Sequence, residues 1–99
     1  MVRHIVMYWL KDGENEELKK ETVEKFLSME GKIPGLLKIE AGQDALKSPR
    51  SCDICLCTVF ESMEALADYR KHPVHLPVQQ HMHAVMERSA SADFEVQSL

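Results

Sequence analysis

Apolar residues are patterned along this chain in three ways: nearly continuous in two short stretches, every second residue in two more, and every third or fourth in the runs between them. Residues 2–10 are rich in Val, Ile, Tyr and Trp and too short for a typical helix, so they read as a strand. Its faces, Val2-His4-Val6-Tyr8-Leu10 and Arg3-Ile5-Met7-Trp9, are both mostly apolar. Asp12-Gly13 marks a turn, and Asn15 is a helix cap. From residue 14 to about 32 the period is helical, with Leu18, Thr22, Phe26, Met29 and Ile33 in one stripe. Acidic residues crowd its start, where the helix dipole favours them, and Gly31 and Pro34-Gly35 end it.

Residues 36–43 alternate, with Leu37, Ile39 and Ala41 opposite Lys38 and Glu40, as in a half-buried strand. A polar loop with Pro49 leads to a second strongly apolar strand over 52–61. Ser62 caps a helix to about residue 71. Pro73 breaks it, and a second helical run over 73–88 sets Val74, Val78, Met82 and Val85 on one stripe. Ala92, Phe94 and Val96 alternate with polar residues in a closing strand.

The order β-α-β-β-α-β is the ferredoxin-like α+β pattern, in one domain over residues 1–99. In that topology the first and third strands are central and the second and fourth are edges. The strands apolar on both faces are the first and third, and the two that alternate are the others, so hydropathy and topology agree. Right-handed crossovers place the helices on one side of the sheet. The other side is apolar, and the chain has no spare element to cover it. The expectation is a homodimer, two sheets face to face in a dimeric α/β barrel.

Composition narrows the function. A net charge of −4, with no cluster of basic residues, speaks against nucleic acid and anionic membranes as partners. The N-terminal apolar run is broken by Arg3 and His4, too early for a secretory signal or a membrane helix. Three cysteines without a secretory cue fit a cytoplasmic protein. Cys52, Cys55 and Cys57 lie on a strand with Cys52 facing away from the other two, so they read as packing and not as zinc ligands. No cofactor is expected; His72 and His75 could ligate a metal with a third position open, but Pro73 splits them and no carboxylate joins them in sequence, which makes this the weaker reading. His81 and His83 diverge on a helix and read as exposed polar residues.

Tyr69, His75 and His4 are the candidate site. Tyr69 ends one helix, His75 follows the break, and His4 sits mid-strand on an apolar face where an unpaired imidazole is costly to bury. From the residues alone the set is open between structural polar groups at the helix break and a functional site.

His4-Ile5-Val6, the run Thr58-Val59-Phe60-Glu61-Ser62, and Leu66-Ala67-Asp68-Tyr69 followed by His72-Pro73-Val74-His75 resemble the Dabb family, the stress-responsive dimeric A/B barrel domain. The resemblance covers essentially the whole chain and implies a ferredoxin-like protomer whose two sheets form a barrel in the dimer. A plant cyclase of this family closes a linear polyketide by intramolecular aldol condensation. The resemblance to it implies His75 as general base, Tyr69 as hydrogen bond donor to the developing enolate, and His4 as a pocket residue, with His72 beside them as a substrate contact. Another histidine of that cyclase, on its third strand, stands here as Ile54, so the polyketide itself is not carried over. The implied ligand is a small carbonyl-bearing or aromatic metabolite. The rival expectation is a ligand-binding or stress-protective dimer of the same fold without chemistry.

Overall fold

Seven elements follow one another in the computed structural model, which describes residues 1–99. They are β1 (Val2–Leu10), α1 (Glu16–Leu27), β2 (Leu36–Gln43), β3 (Ile54–Phe60), α2 (Met63–Lys71), α3 (His75–Val85) and β4 (Met86–Glu95). The sheet order is β2-β3-β1-β4, every neighbouring pair antiparallel. This is the ferredoxin-like α+β fold, with the two doubly apolar strands at its centre.

The caps explain where helices begin. Asn15 Oδ1 accepts from the Leu18 N–H at 3.0 Å and Ser62 Oγ from that of Ala65 at 3.1 Å, each satisfying a donor that the first helical turn leaves free. The acidic residues Glu16 and Glu17 in the first turn of α1 match the positive end of its dipole. Gly35, at φ +82, carries the chain into β2 in a left-handed conformation that any side chain would strain. A Cβ there would also stand 2.6 Å from the Cβ of Ala65, so α2 lies directly against this turn.

The core lies between the sheet and the helices. Val2 and Leu10 of β1 and Ile54, Leu56 and Phe60 of β3 meet Phe26 and Met29 from α1 and its following turn, Leu66 of α2, and Val78 and Met82 of α3. Tyr8 stacks on Phe26 with ring centres 5.5 Å apart. The opposite sheet face carries Ile5 and Met7 beside Cys57 and Cys55 on one flank and Ala92 and Ala90 on the other. Met7 is 40% exposed there and Phe94 45%. That apolar face receives no helix of its own chain.

Several boundaries differ from the sequence reading. α1 stops at Leu27, not 32, yet Met29 and Ile33 still reach the core from the turns that follow. Leu37 does not join Ile39 inside: the β2–β3 register slips between Leu36 and Lys38, and the extra residue turns outward. β3 begins at Ile54, and just before it the Asp53 carboxylate accepts from the Leu10 N–H at 2.7 Å. The largest difference is at the end. α3 closes at Val85, and β4 already runs from Met86, six residues ahead of the alternation at Ala92. Arg88, expected in the helix, pairs with Trp9 across the strands, its guanidinium carbon 3.7 Å from the ring centre. No helix is long and apolar enough to cross a membrane.

Candidate functional site

Proline organises the site. A residue before proline is held extended, and His72, at φ −70 and ψ 137, ends α2 in that way. Its carbonyl then accepts from the N–H groups of His75 at 2.9 Å and Leu76 at 3.1 Å, which restarts the helix as α3. The restart turns the first residue of α3 back over the last turn of α2. Tyr69 and His75 consequently face each other, with ring centres 4.1 Å apart at 36°.

Two further rings join them. Phe60 at the end of β3 lies 4.9 Å from Tyr69, and His4 of β1 lies 6.5 Å from it in an edge-on arrangement. The His4 imidazole is buried, and its Nδ1 donates to Asp93 Oδ1 of β4 at 2.5 Å. A carboxylate accepts only, so the bond puts the Nδ1 proton on His4 and leaves Nε2 as the atom available to another group. The strand register sets this pair, since His4 and Asp93 are direct cross-strand partners.

His4, Tyr69 and His75 line a cavity of about 260 Å³ between β1, β4 and the broken helix, with Phe60 packed behind Tyr69. His4, Tyr8, Tyr69 and His75 form its aromatic wall, Met82 and Met86 its aliphatic one, and Arg70, Gln79, His83 and Ser89 add polar groups. The wall residues Tyr69 and Met82 are buried, whereas Arg70, His83 and Ser89 are exposed and make the rim.

Electrostatics separate the roles. Burial lowers the His75 pKa from its ordinary value, and the Arg70 charge and the neighbouring His4 and His72 rings lower it further. The Arg70 carbonyl opposes the shift, yet the buried Nδ1 of His75 closes no hydrogen bond. Burial raises the Tyr69 pKa far above the usual phenol value and that of Tyr8 to about 12, so both hydroxyls keep their protons. The cavity therefore pairs a neutral imidazole with phenolic donors.

Of the four residues singled out in the sequence, His4, Tyr69 and His75 line this cavity and His72 does not. His72 Nδ1 accepts from the Val74 N–H at 3.0 Å, a local bond that fixes the break. His81 is not a free surface group: its ring meets Thr22 Oγ1 at 2.8 Å, tying α3 to α1. Only His83 of that pair is exposed. Asp93 and Gln79 escape the sequence reading, and Met82 enters it only as part of an apolar helical stripe. Asp93 could have been found by pairing the closing strand against β1, while Gln79 and Met82 share a face of α3 with His75 at helical spacing.

A second cavity, of about 230 Å³, lies at the far end of β1 around Lys19, Lys47, Asp44 and Asp53. Its groups are already engaged: Lys19 with Glu16 at 3.0 Å, Asp44 with the Lys47 N–H, Asp53 with the Leu10 N–H. Nowhere do three or more His, Cys, Asp or Glu side chains converge in a metal-binding group.

Sheet order, helix break and ring-lined cavity together define a ferredoxin-like α+β protein of the A/B barrel class. The family model described as the stress responsive A/B barrel domain, Dabb, matches residues 2–96, and the chain belongs to that family. Among solved structures it is similar to a dimeric protein of unknown function with a ferredoxin-like fold from Bacteroides fragilis. The two are 26% identical, with 96% of this chain and 95% of that one covered at a TM-score of 0.80. A dimeric ferredoxin-like protein of unknown function from Thermobifida fusca is 16% identical, with 96% and 90% covered and a TM-score of 0.86. The hydroxynitrile lyase from Passiflora edulis is 14% identical, with 99% and 94% covered and a TM-score of 0.82. No curated protein matches the chain.

Proposed function

We propose that the chain binds a small carbonyl-bearing or aromatic metabolite in the cavity beside the broken helix and moves a proton on it. His75 takes a proton from a carbon next to the carbonyl, and the electron pair left behind delocalises onto the carbonyl oxygen. The Tyr69 hydroxyl donates a hydrogen bond to that oxygen as its charge develops. Return of the proton from His75 to another position completes an isomerisation; attack of the enolate on a second carbonyl of the same molecule, whose oxygen then takes the proton back from His75, completes a cyclisation. His4, oriented by Asp93, contacts the ligand from the sheet side.

One observation carries this reading. His4, His72 and His81 each spend a ring nitrogen on a hydrogen bond within the chain, whereas the buried Nδ1 of His75 has none. An imidazole that serves only to clip the helix break would be bonded, because a buried unpaired polar group costs about 1–3 kcal/mol. His75 instead stays neutral beside a protonated phenol, as base and donor require. That the same fold serves as a hydroxynitrile lyase in Passiflora edulis is compatible with chemistry on this scaffold.

The reading includes a second copy of the chain. Its sheet would cover the apolar face that carries Met7 and Phe94, as the dimeric descriptions of the Bacteroides fragilis and Thermobifida fusca relatives support. Three free thiols suit a reducing, cytoplasmic setting.

The test is turnover against a panel of β-ketoacyl compounds. Wild type is expected to be active on a member of the panel, and His75→Ala and Tyr69→Phe each to lose on the order of 10²-fold in kcat. Variants that bind the same compounds and lose no turnover would overturn the catalytic reading and leave a binding protein.

A further inference from the structure

The cavity wall contains no carboxylate, although the chain as a whole is acidic. Sixteen Asp and Glu outnumber twelve Lys and Arg, yet the ten lining residues include Arg70 and three histidines and neither acid. Asp93, which bonds one of the lining histidines, is spent on that bond. The second cavity lacks this bias, since Lys19 and Lys47 there are matched by Glu14, Asp44 and Asp53.

Arg70 is the centre of this asymmetry. It sits in the last turn of α2, one residue after Tyr69, and takes part in none of the ion pairs of the chain. Its charge nevertheless acts inward, opposing the burial-driven rise in the Tyr69 pKa and adding to the burial-driven fall in that of His75. It is the one Lys or Arg side chain on the lining of this acid-free cavity, and its planar fork suits a carboxylate.

We propose that the ligand is a small organic carboxylate: Arg70, with His83 on the same rim, takes its carboxylate while its body lies against Tyr8, Met82 and Met86. The assignment rests on the cavity being the binding site proposed above and narrows its ligand to an acid. A volume of about 260 Å³ is below the usual range for drug-sized ligands, so the body is one ring or a short chain. Anchoring at the rim leaves the ligand's own carbonyl inside, toward Tyr69 and His75. An oxo acid is the class that uses both ends.

The test compares 4-oxo-4-phenylbutanoate with its neutral amide, the binding of each followed by amide and imidazole NMR shifts of wild type, Arg70→Gln and Lys71→Gln. The acid is expected to bind wild type roughly fivefold or more tightly than the amide, an advantage that shrinks with salt. Arg70→Gln is expected to bring the two to within about twofold, and Lys71→Gln to leave the difference standing. Equal affinities in wild type, or an advantage that survives Arg70→Gln, would overturn the carboxylate assignment while the cavity reading stands. If neither compound moves the Tyr69 and His75 resonances, both readings fall.

Discussion

Asp93, on the exposed edge strand, accepts the Nδ1 proton of the buried His4 at 2.5 Å, and this bond fastens the outermost strand to the aromatic wall of the cavity. Its removal strands an imidazole nitrogen where water is scarce. Asp93→Ala is expected to cost about 1–2 kcal/mol in urea unfolding, toward the lower part of the range for an unpaired buried donor because the Asp93 side chain is 26% exposed. An unchanged midpoint would mean that His4 finds another partner.

The turn at Gly35 supports the same site from behind. Gly35→Ala adds left-handed strain and drives a Cβ into Ala65 of α2, the helix that carries Tyr69 near its end. A loss of about 2 kcal/mol or more is expected, against about 1 kcal/mol for Gly31→Ala, which has positive φ but open space around it. Thermal unfolding of the two variants side by side measures the contact apart from the strain, and equal losses would deny that α2 presses on this turn.

Thr22 has no exposed surface; its hydroxyl donates to the Leu18 carbonyl at 2.8 Å and meets His81 Nε2 at 2.8 Å. Thr22→Val keeps the shape and removes both bonds. The expected loss is about 1 kcal/mol by chemical denaturation, since the half-exposed His81 can turn to water. No loss at all would show that the α1–α3 contact rests on packing alone.

Acid should weaken the fold earlier than carboxylate chemistry requires. His75 and His81 both have pKa values lowered from 6.5, chiefly by burial, so the unfolded chain binds protons that the folded chain refuses. Their contribution is complete above pH 6.5 and is lost as pH falls from there toward the folded-state values. Urea midpoints are expected to drop between pH 7.5 and 5.5, and to drop less in His75→Gln. A midpoint that rises over that interval contradicts the assignment.

The open sheet face makes a separate prediction. Met7, at the middle of β1 on that face, can be exchanged for Glu without touching the core, so Met7→Glu should fold. Light scattering is expected to give a dimer for wild type and a monomer for the variant at micromolar concentration. A monomeric wild type would remove the partner sheet from the account.

Much of this was legible in the chain, and the failures share a cause. β1 and β3 showed themselves as central because both faces are apolar, and the turn at Pro73 because proline bars a continuous helix. The start of β4 was hidden, since Met86 to Ser91 lie on an edge, are almost wholly exposed and so carry no alternation of apolar and polar residues. The same gap concealed Asp93, whose meaning depends on which residue of β1 it opposes. Tyr69, His75 and His4 drew notice as chemistry in irregular or apolar surroundings. Their convergence, and the diversion of His72 into a local bond, depend on the angle between α2 and α3, which no periodicity encodes.

Proton transfer in the cavity requires His75 to be an uncharged base at neutral pH. NMR titration of its ring protons, assigned by comparison with His75→Gln, measures this directly. The account predicts a midpoint below 6.5, with His75 neutral at pH 7. A midpoint at or above 6.5 would make His75 an ordinary solvated imidazole and contradict it.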